Sequence, residues 1–160
     1  MKKLLLVIDV QKEFINEYTG EVLNRIKKLI NSKEYDIVAF TRFINDEKSV
    51  FYKKLKYRGC MNLEQQEIAI ETGKWRVFNK RTYTVVNEEF KNYIKDNKID
   101  EIYICGFDTD ACVQKTALDL FEQEYNVFIL KDYCMCYRGY ELHEATINNL
   151  KRLIGRDSII

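Results

Sequence analysis

The sequence predicts a three-layer α/β/α fold around a mostly parallel sheet of five to six strands. Short apolar runs rich in Val, Ile, Leu and Phe recur along the chain, as is typical of buried parallel strands. Segments with helical spacing of apolar residues separate these runs, and this alternation favours a parallel sheet covered by helices on both faces. The chain has no proline and only six glycines. We therefore expect no internal linker and a single domain over residues 1–160.

Five apolar runs are the strand candidates, and they lie at residues 3–10, 36–41, 76–78, 101–105 and 126–130. The final residues, 157–160 (DSII), are a candidate sixth strand at the edge of the sheet. Each run is short, and the first, KLLLVIDV, is apolar until Asp9. Asp9 also interrupts the run well before the roughly 20 residues that a membrane span needs, so we interpret it as a first strand and not as a secretory leader.

Four helices are predicted between the strands. The first presents one apolar face, formed by Val22, Ile26, Leu29 and Ile30. The second follows an N-cap at Asn87, and the third runs from Thr109 or Asp110 to about residue 124. The fourth covers about residues 141–154 and is closed by Gly155. The least regular part, residues 44–74, is expected to form a loop with short helices over one end of the sheet.

The composition argues against large charged partners. Lys and Arg total 26 against 25 acidic residues, which leaves a formal net charge of +1. No electrostatic footprint for nucleic acid or an acidic membrane follows from this balance, so we expect a small-molecule substrate.

Five cysteines form an odd set without regular spacing: Cys60, Cys105, Cys112, Cys134 and Cys136. We expect them to be free thiols in a reducing, cytoplasmic compartment. The C-x-C pair at 134 and 136 is compatible with a redox or metal element, but thiols buried at a strand end are the plainer interpretation.

Three polar residues follow the ends of predicted strands. Asp9 ends the first, Lys80 follows the third, and Cys112 follows the fourth and enters a helix. In parallel sheets ligands collect outside the carboxyl ends of the strands. Asp9 can therefore act as general base for the Cys112 thiol, while the Lys80 ammonium keeps Asp9 ionised and stabilises the thiolate. The first turn of the helix also favours a thiolate.

The plainer interpretation of each residue taken alone is a capping acid, a solvated lysine and a packing thiol. The chain has one histidine, His143. It lies in the last helical pattern, where we expect a helix-surface position and no catalytic role.

These residues also carry a family resemblance. The segment DVQKEF holds Asp9, Gln11 and Phe14, the segment FNKRT holds Lys80, and GFDTDACV holds Cys112. In order and spacing they resemble the isochorismatase-like cysteine hydrolases, which include nicotinamidases, over about residues 3–153.

The resemblance implies strand order 3-2-1-4-5-6 and a cis peptide between Phe107 and Asp108. It also implies an oxyanion hole formed by the backbone amides of Asp108 and Cys112. Homodimers or tetramers are the expected assemblies of such proteins.

The resemblance further bears on metals and substrate. Metal-dependent nicotinamidases carry metal ligands at positions that here hold Phe43, Asn45 and Gly59, so we expect no metal and no cofactor. Phe14, Gln11 and Arg42 are the candidate substrate-binding residues. Arg81, Tyr133 and Tyr137 are further candidates near the same crevice, and Trp75 is expected in the core.

The predicted function is hydrolysis of a C–N bond in a small amide, ureido or carbamoyl compound through a thioester on Cys112. Two alternatives remain open at this point. One is a catalytically inactive member that binds a small ligand or a partner, and the other is a thiol sensor that pairs Cys112 with Cys134 or Cys136.

Overall fold

A computed structural model describes all residues, 1–160, and shows one five-stranded parallel sheet in the order β3-β2-β1-β4-β5. The strands are β1 (Lys3–Ile8), β2 (Ile37–Phe43), β3 (Arg76–Lys80), β4 (Glu101–Phe107) and β5 (Asn126–Met135). The helices are α1 (Glu17–Asn31), α2 (Val50–Leu55), α3 (Leu63–Gln66), α4 (Glu88–Asp96), α5 (Gln114–Glu122) and α6 (Tyr140–Ile154). The predicted α/β class and parallel sheet are confirmed.

Alternation along β1 divides the core into two layers. Leu4, Leu6 and Ile8 face a cluster that includes apolar residues of α4, α5 and α6. Leu5 and Val7 face the opposite cluster, which includes the apolar stripe of α1. Because successive side chains of a strand point to opposite faces, an uninterrupted apolar strand fits a sheet covered on both sides.

Two predicted helix boundaries are confirmed by their capping residues. The Asn87 side chain accepts a hydrogen bond from the Phe90 amide at 2.9 Å and caps α4. Gly155 follows α6 with φ of 94°, a conformation that suits glycine. None of the helices combines the length and apolar character that a membrane crossing requires.

The predicted sixth strand is wrong. Residues 156–158 form a 3-10 turn, and only Ile159 makes a parallel bridge, to Ile129 on β5. The Ile160 amide donates to the Ile129 carbonyl at 2.9 Å, and the Lys131 amide donates to the Ile160 carbonyl at 2.8 Å. The segment is apolar enough to dock on the edge of β5, but the turn leaves too few extended residues for a ladder.

The third predicted helix is divided in two. Residues Thr109–Val113 form a π-helical turn, and α5 starts only at Gln114. The Val113 amide reaches the Asp108 carbonyl, five residues back, at 3.1 Å. Single π-helical turns recur at functional sites because they shift the position of the side chains that they carry.

Candidate active site

The carboxyl ends of three strands bring Asp9, Lys80 and Cys112 together. Asp9 is the first residue after β1, Lys80 is the last residue of β3, and Cys112 lies on the π-helical turn after β4. Because all strands are parallel, these ends meet at one edge of the sheet. The structure thus joins the three residues that the sequence singled out.

Asp9 and Lys80 form a buried ion pair. The Lys80 Nζ lies 2.6 Å from Asp9 Oδ2, and the two side chains are 2% and 0% exposed. The Thr41 hydroxyl donates to Asp9 Oδ1 at 2.5 Å, and the Asp9 amide donates to the same hydroxyl oxygen at 3.1 Å. Since both carboxylate oxygens accept a hydrogen bond, the desolvation of Asp9 is offset.

The Lys80 ammonium has three acceptors. Besides Asp9 it donates to the Thr82 carbonyl oxygen at 3.0 Å and to Cys112 Sγ at 3.4 Å. An ammonium has three N–H donors, so the Asp9 carboxylate, the Thr82 carbonyl and the Cys112 sulfur use all of them. Lys80 is therefore fixed between the carboxylate and the sulfur.

Burial and charge set the protonation of this group. Burial raises the pKa of Cys112 well above its ordinary range, and the Asp9 carboxylate raises it further, against the lowering effect of Lys80. For Lys80, burial lowers the pKa, but Asp9 and Cys112 outweigh burial and the net direction is upward. These directions favour a neutral thiol beside an ammonium, whereas the sequence led us to expect a thiolate favoured by the helix terminus.

Two contacts fix the position of the π-helical turn that carries Cys112. Gly106 has φ of 118°, and a Cβ there would collide with the backbone oxygen of Ile8, its partner on β1. The Thr109 hydroxyl lies 2.8 Å from Nδ1 of His143 on α6. The predicted surface position of His143 is wrong, because its side chain is buried at 5% exposure against this turn.

Asp108 lies at the start of the same turn. The peptide bond between Phe107 and Asp108 is cis, and the Asp108 carboxylate accepts a hydrogen bond from the Tyr137 amide at 2.7 Å. Burial raises the pKa of Asp108 to about 7. Its backbone amide and that of Cys112 remain the predicted oxyanion donors.

A cavity of about 880 Å³ opens above Cys112. Of the predicted binding residues, Phe14 and Tyr137 line it. Glu13, Tyr57 and Tyr83 also line it and were not anticipated. Glu13 belongs to the same DVQKEF segment as Asp9, which is the one sequence signal for it.

Gln11 does not line this cavity, so its predicted contact with substrate is wrong. It is fully buried, and its side-chain amide donates to the Phe43 carbonyl at 3.0 Å and accepts from the Phe43 amide at 2.7 Å. It also donates to the Gln66 carbonyl at 3.2 Å. Gln11 therefore joins the ends of β1 and β2 to the loop over the site.

The two arginine candidates also lie outside the cavity lining. The Arg42 Nε donates to Asn79 Oδ1 at 2.8 Å, and Arg81 forms a surface ion pair with Asp46. Both guanidinium groups have protein partners, and substrate binding by Arg42 stays a prediction. Tyr133 and Trp75 are half-buried and pack against the core on the α1 side.

The positions at which nicotinamidases were expected to hold a metal do not fit one here. Phe43 is aromatic and Gly59 has no side chain. Asn45 donates through its side-chain amide to the carbonyls of Tyr57 and Gly59 at 3.1 and 3.0 Å. Its side-chain oxygen accepts from the Asp46 amide and from the Ser49 hydroxyl, so no ligand atom of this set is free.

All five cysteines are free thiols, as predicted. Cys134 and Cys136 are buried, and the Cys136 thiol donates to Asp110 Oδ1 at 3.0 Å. Cys112 alone is partly exposed. The buried positions of 134 and 136 agree with the interpretation of core thiols at the end of β5.

Comparisons with known proteins agree on one family. A model of the isochorismatase domain matches residues 3–156. Isochorismatase family protein 1B of Dictyostelium discoideum is 28% identical over 136 residues, which cover 80% of this chain and 60% of that protein. The chain thus spans less than two thirds of the length of that relative.

Two solved structures show the same fold. An isochorismatase-like hydrolase from Alkaliphilus metalliredigens has a TM-score of 0.85 and 19% identity, covering 99% of this chain and 94% of that one. A nicotinamidase from Bacillus subtilis has a TM-score of 0.84 and 20% identity, covering 97% of both chains.

Proposed function

The chain belongs to the isochorismatase family, and from this premise we propose that it is a cysteine hydrolase that cleaves a C–N bond of a small amide, ureido or carbamoyl compound. The observation that carries the proposal is the contact of Lys80 with both Asp9 and Cys112, at 2.6 and 3.4 Å. Neither a ligand-binding protein nor a disulfide sensor needs a buried ion pair against its cysteine. The nicotinamidase of similar fold supports amides as the substrate class.

The first half of the reaction forms a thioester. The Cys112 thiol gives its proton to Asp9 as the sulfur attacks the amide carbonyl carbon. The backbone amides of Asp108 and Cys112 stabilise the oxyanion that develops on the carbonyl oxygen. Asp9 then passes the proton to the departing nitrogen, the C–N bond breaks, and ammonia or an amine leaves.

The second half releases the acid. A water molecule gives a proton to Asp9 and attacks the thioester carbon, and the C–S bond breaks. The proton returns to the sulfur, so Cys112 is again a thiol. The raised pKa of Cys112 fits this cycle, because a thiol that keeps its proton needs a neighbouring base.

Lys80 acts on charge and does not transfer a proton in this scheme. Its pKa is raised by Asp9 and Cys112 against the effect of burial, so it stays an ammonium throughout. A fixed positive charge beside Sγ stabilises the thiolate at the moment of attack.

The remaining features of the proposal concern the whole protein. We place the activity in one domain of residues 1–160, in the cytoplasm, without a cofactor and in a homodimer or tetramer. The continuous sheet and its two core layers support the single domain.

Release of ammonia across a panel of small amides tests the proposal. We expect turnover of at least one amide, loss of turnover in Cys112→Ala, and unchanged turnover in the control Cys105→Ala, whose buried thiol lies away from the cavity. Turnover that survives in Cys112→Ala would rule out the thioester route.

A further inference from the structure

Glu13 is a carboxylate without a partner inside the active-site cavity. It lies on the 3-10 turn Lys12–Phe14, which follows β1 and Asp9 directly. Its side chain is half-buried and lines the cavity that holds Cys112. None of the six ion pairs in the structure includes it, and no protein group donates a hydrogen bond to it.

The surrounding backbone leaves a defined place for this carboxylate. A Cβ at Gly59 would lie 2.7 Å from Glu13 Oε1 and would also collide with the Tyr57 hydroxyl. The missing side chain at Gly59 therefore makes room for both polar groups. Asn45 fixes this segment through its hydrogen bonds to the carbonyls of residues 57 and 59.

The cations that line this cavity, Lys56, Arg58 and Arg138, are exposed residues and none of them pairs with Glu13. Burial raises the pKa of Glu13, as expected for a carboxylate that forms no ion pair. Lys80 is already paired with Asp9. At the exposed rim, Lys56 Nζ donates to the Lys53 carbonyl at 3.0 Å, and Arg58 lies over the ring of Tyr52.

Aromatic rings form much of the lining of the same cavity. The rings that line it belong to Phe14, Phe43, Phe51, Tyr57, Tyr83, Phe107 and Tyr137. Aromatic faces attract cations and also pack against apolar groups. An ammonium on a short apolar body matches a cavity of this kind.

We propose that Glu13 is a specificity-determining residue, which binds a protonated amino group on the substrate while Cys112 attacks the amide at the other end. The inference rests on the proposed hydrolase function and narrows its substrate class to small amino-amides. The Tyr57 hydroxyl lies next to the same carboxylate and limits the room around it.

Three matched series of linear primary amides test this proposal. At each short chain length the far end is an ammonium, a methyl or a carboxylate group, and kcat/KM is measured for the protein, for Glu13→Gln and for Glu64→Gln. Glu64 is an exposed residue of α3 outside the cavity lining and serves as the matched control. We expect the ammonium series to be preferred by at least about tenfold, and the preference to vanish in Glu13→Gln alone.

A second measurement separates this inference from the hydrolase proposal. Each compound is added before limiting iodoacetamide, and protection of Cys112 from alkylation reports occupancy without turnover. If no amide is hydrolysed but the ammonium series protects Cys112 through Glu13, the hydrolase proposal fails and the specificity of the site stands. A preference for methyl or carboxylate ends, a preference unchanged in Glu13→Gln, or protection by no compound would overturn the inference.

Discussion

The Lys80 ammonium lies 2.6 Å from the Asp9 carboxylate, and the two side chains are almost completely buried. They come from β3 and from the end of β1, so the pair spans the strand between them, β2. A buried pair is costly to separate, because the partner left behind is an uncompensated charge. The pair is therefore a structural element of the site, in addition to the catalytic role that we propose for it.

Replacing Lys80 by methionine should lower the free energy of unfolding by about 3 to 5 kcal/mol, because Asp9 then remains buried without its cation. Chemical denaturation measures this loss. The control Lys12→Met removes an exposed ion pair with Glu67 and should cost about 1 kcal/mol or less. Equal losses in the two variants would contradict the structural role of Lys80.

Replacing Asp9 by asparagine should change the reactivity of the Cys112 thiol and the rate of amide turnover in opposite directions. The Asp9 charge raises the pKa of Cys112, so its removal should lower that pKa and speed the alkylation of Cys112 by iodoacetamide near pH 7. Turnover of amides should fall by about 10²- to 10⁴-fold, because the general base is lost. Amide turnover that is unchanged in Asp9→Asn would show that Asp9 is not the general base.

Among the five thiols of the unmodified protein, Cys112 should be alkylated first. It is the one cysteine that is not buried, and its raised pKa means that the rate should still be increasing with pH above 9. Mass spectrometry of peptides after limiting iodoacetamide measures the order of labelling. Labelling of Cys60 or Cys136 at an equal rate would contradict the exposure that the structure assigns.

Asp108 should make stability fall with pH. Its pKa is about 7 in the folded protein and near 3.8 in the unfolded chain, so between these values the folded state binds more protons. The contribution of Asp108 is therefore least unfavourable below about pH 4, and stability is lost as the pH rises to about 7. Asp108→Asn can still accept from Tyr137 and should be more stable than the unmodified protein at pH 8, by about 1 to 4 kcal/mol. Denaturation curves that differ equally at pH 4 and pH 8 would exclude this origin.

His143 should affect stability and activity indirectly, through the π-helical turn whose Thr109 hydroxyl it contacts. Its pKa is lowered by burial, so the stability that it contributes is complete above about pH 6.5 and is lost as the pH falls through the folded value. His143→Ala removes the partner of the Thr109 hydroxyl and should cost about 1 to 3 kcal/mol, with a lower kcat. His143→Gln keeps a polar partner and should recover part of both. Since the chain has one histidine, its NMR titration follows this residue directly.

The positions of the strands could be predicted because their signal is local, although β5 runs to Met135 and not to residue 130. Each strand is a short apolar run, and Asp9, Lys80 and Cys112 are the polar residues that follow three of them. Parallel strands bring such ends to one edge, so sequence position translates directly into proximity. The same reasoning could not predict that Gln11 joins the ends of β1 and β2, since its partner Phe43 lies on another strand.

The positions of the other residues around the site depend on tertiary contacts that no local sequence pattern indicates. Tyr57 and Gly59 lie in the irregular stretch between β2 and β3, whose path over the sheet is set by hydrogen bonds such as that of Asn45 to the Gly59 carbonyl. His143 has the helical spacing of a surface residue, but its face of α6 packs on the π-helical turn. The protonation of Cys112 likewise follows from burial, which a sequence does not display.

Acid-quenched mass spectrometry of the protein during turnover tests the central claim most directly. If Asp9, Lys80 and Cys112 work as proposed, peptide mapping will show the acyl part of the substrate bound to Cys112, and Asp9→Asn will form little of it. Steady amide turnover with no acyl group on Cys112, in a protein whose Cys112→Ala variant is equally active, would contradict the account.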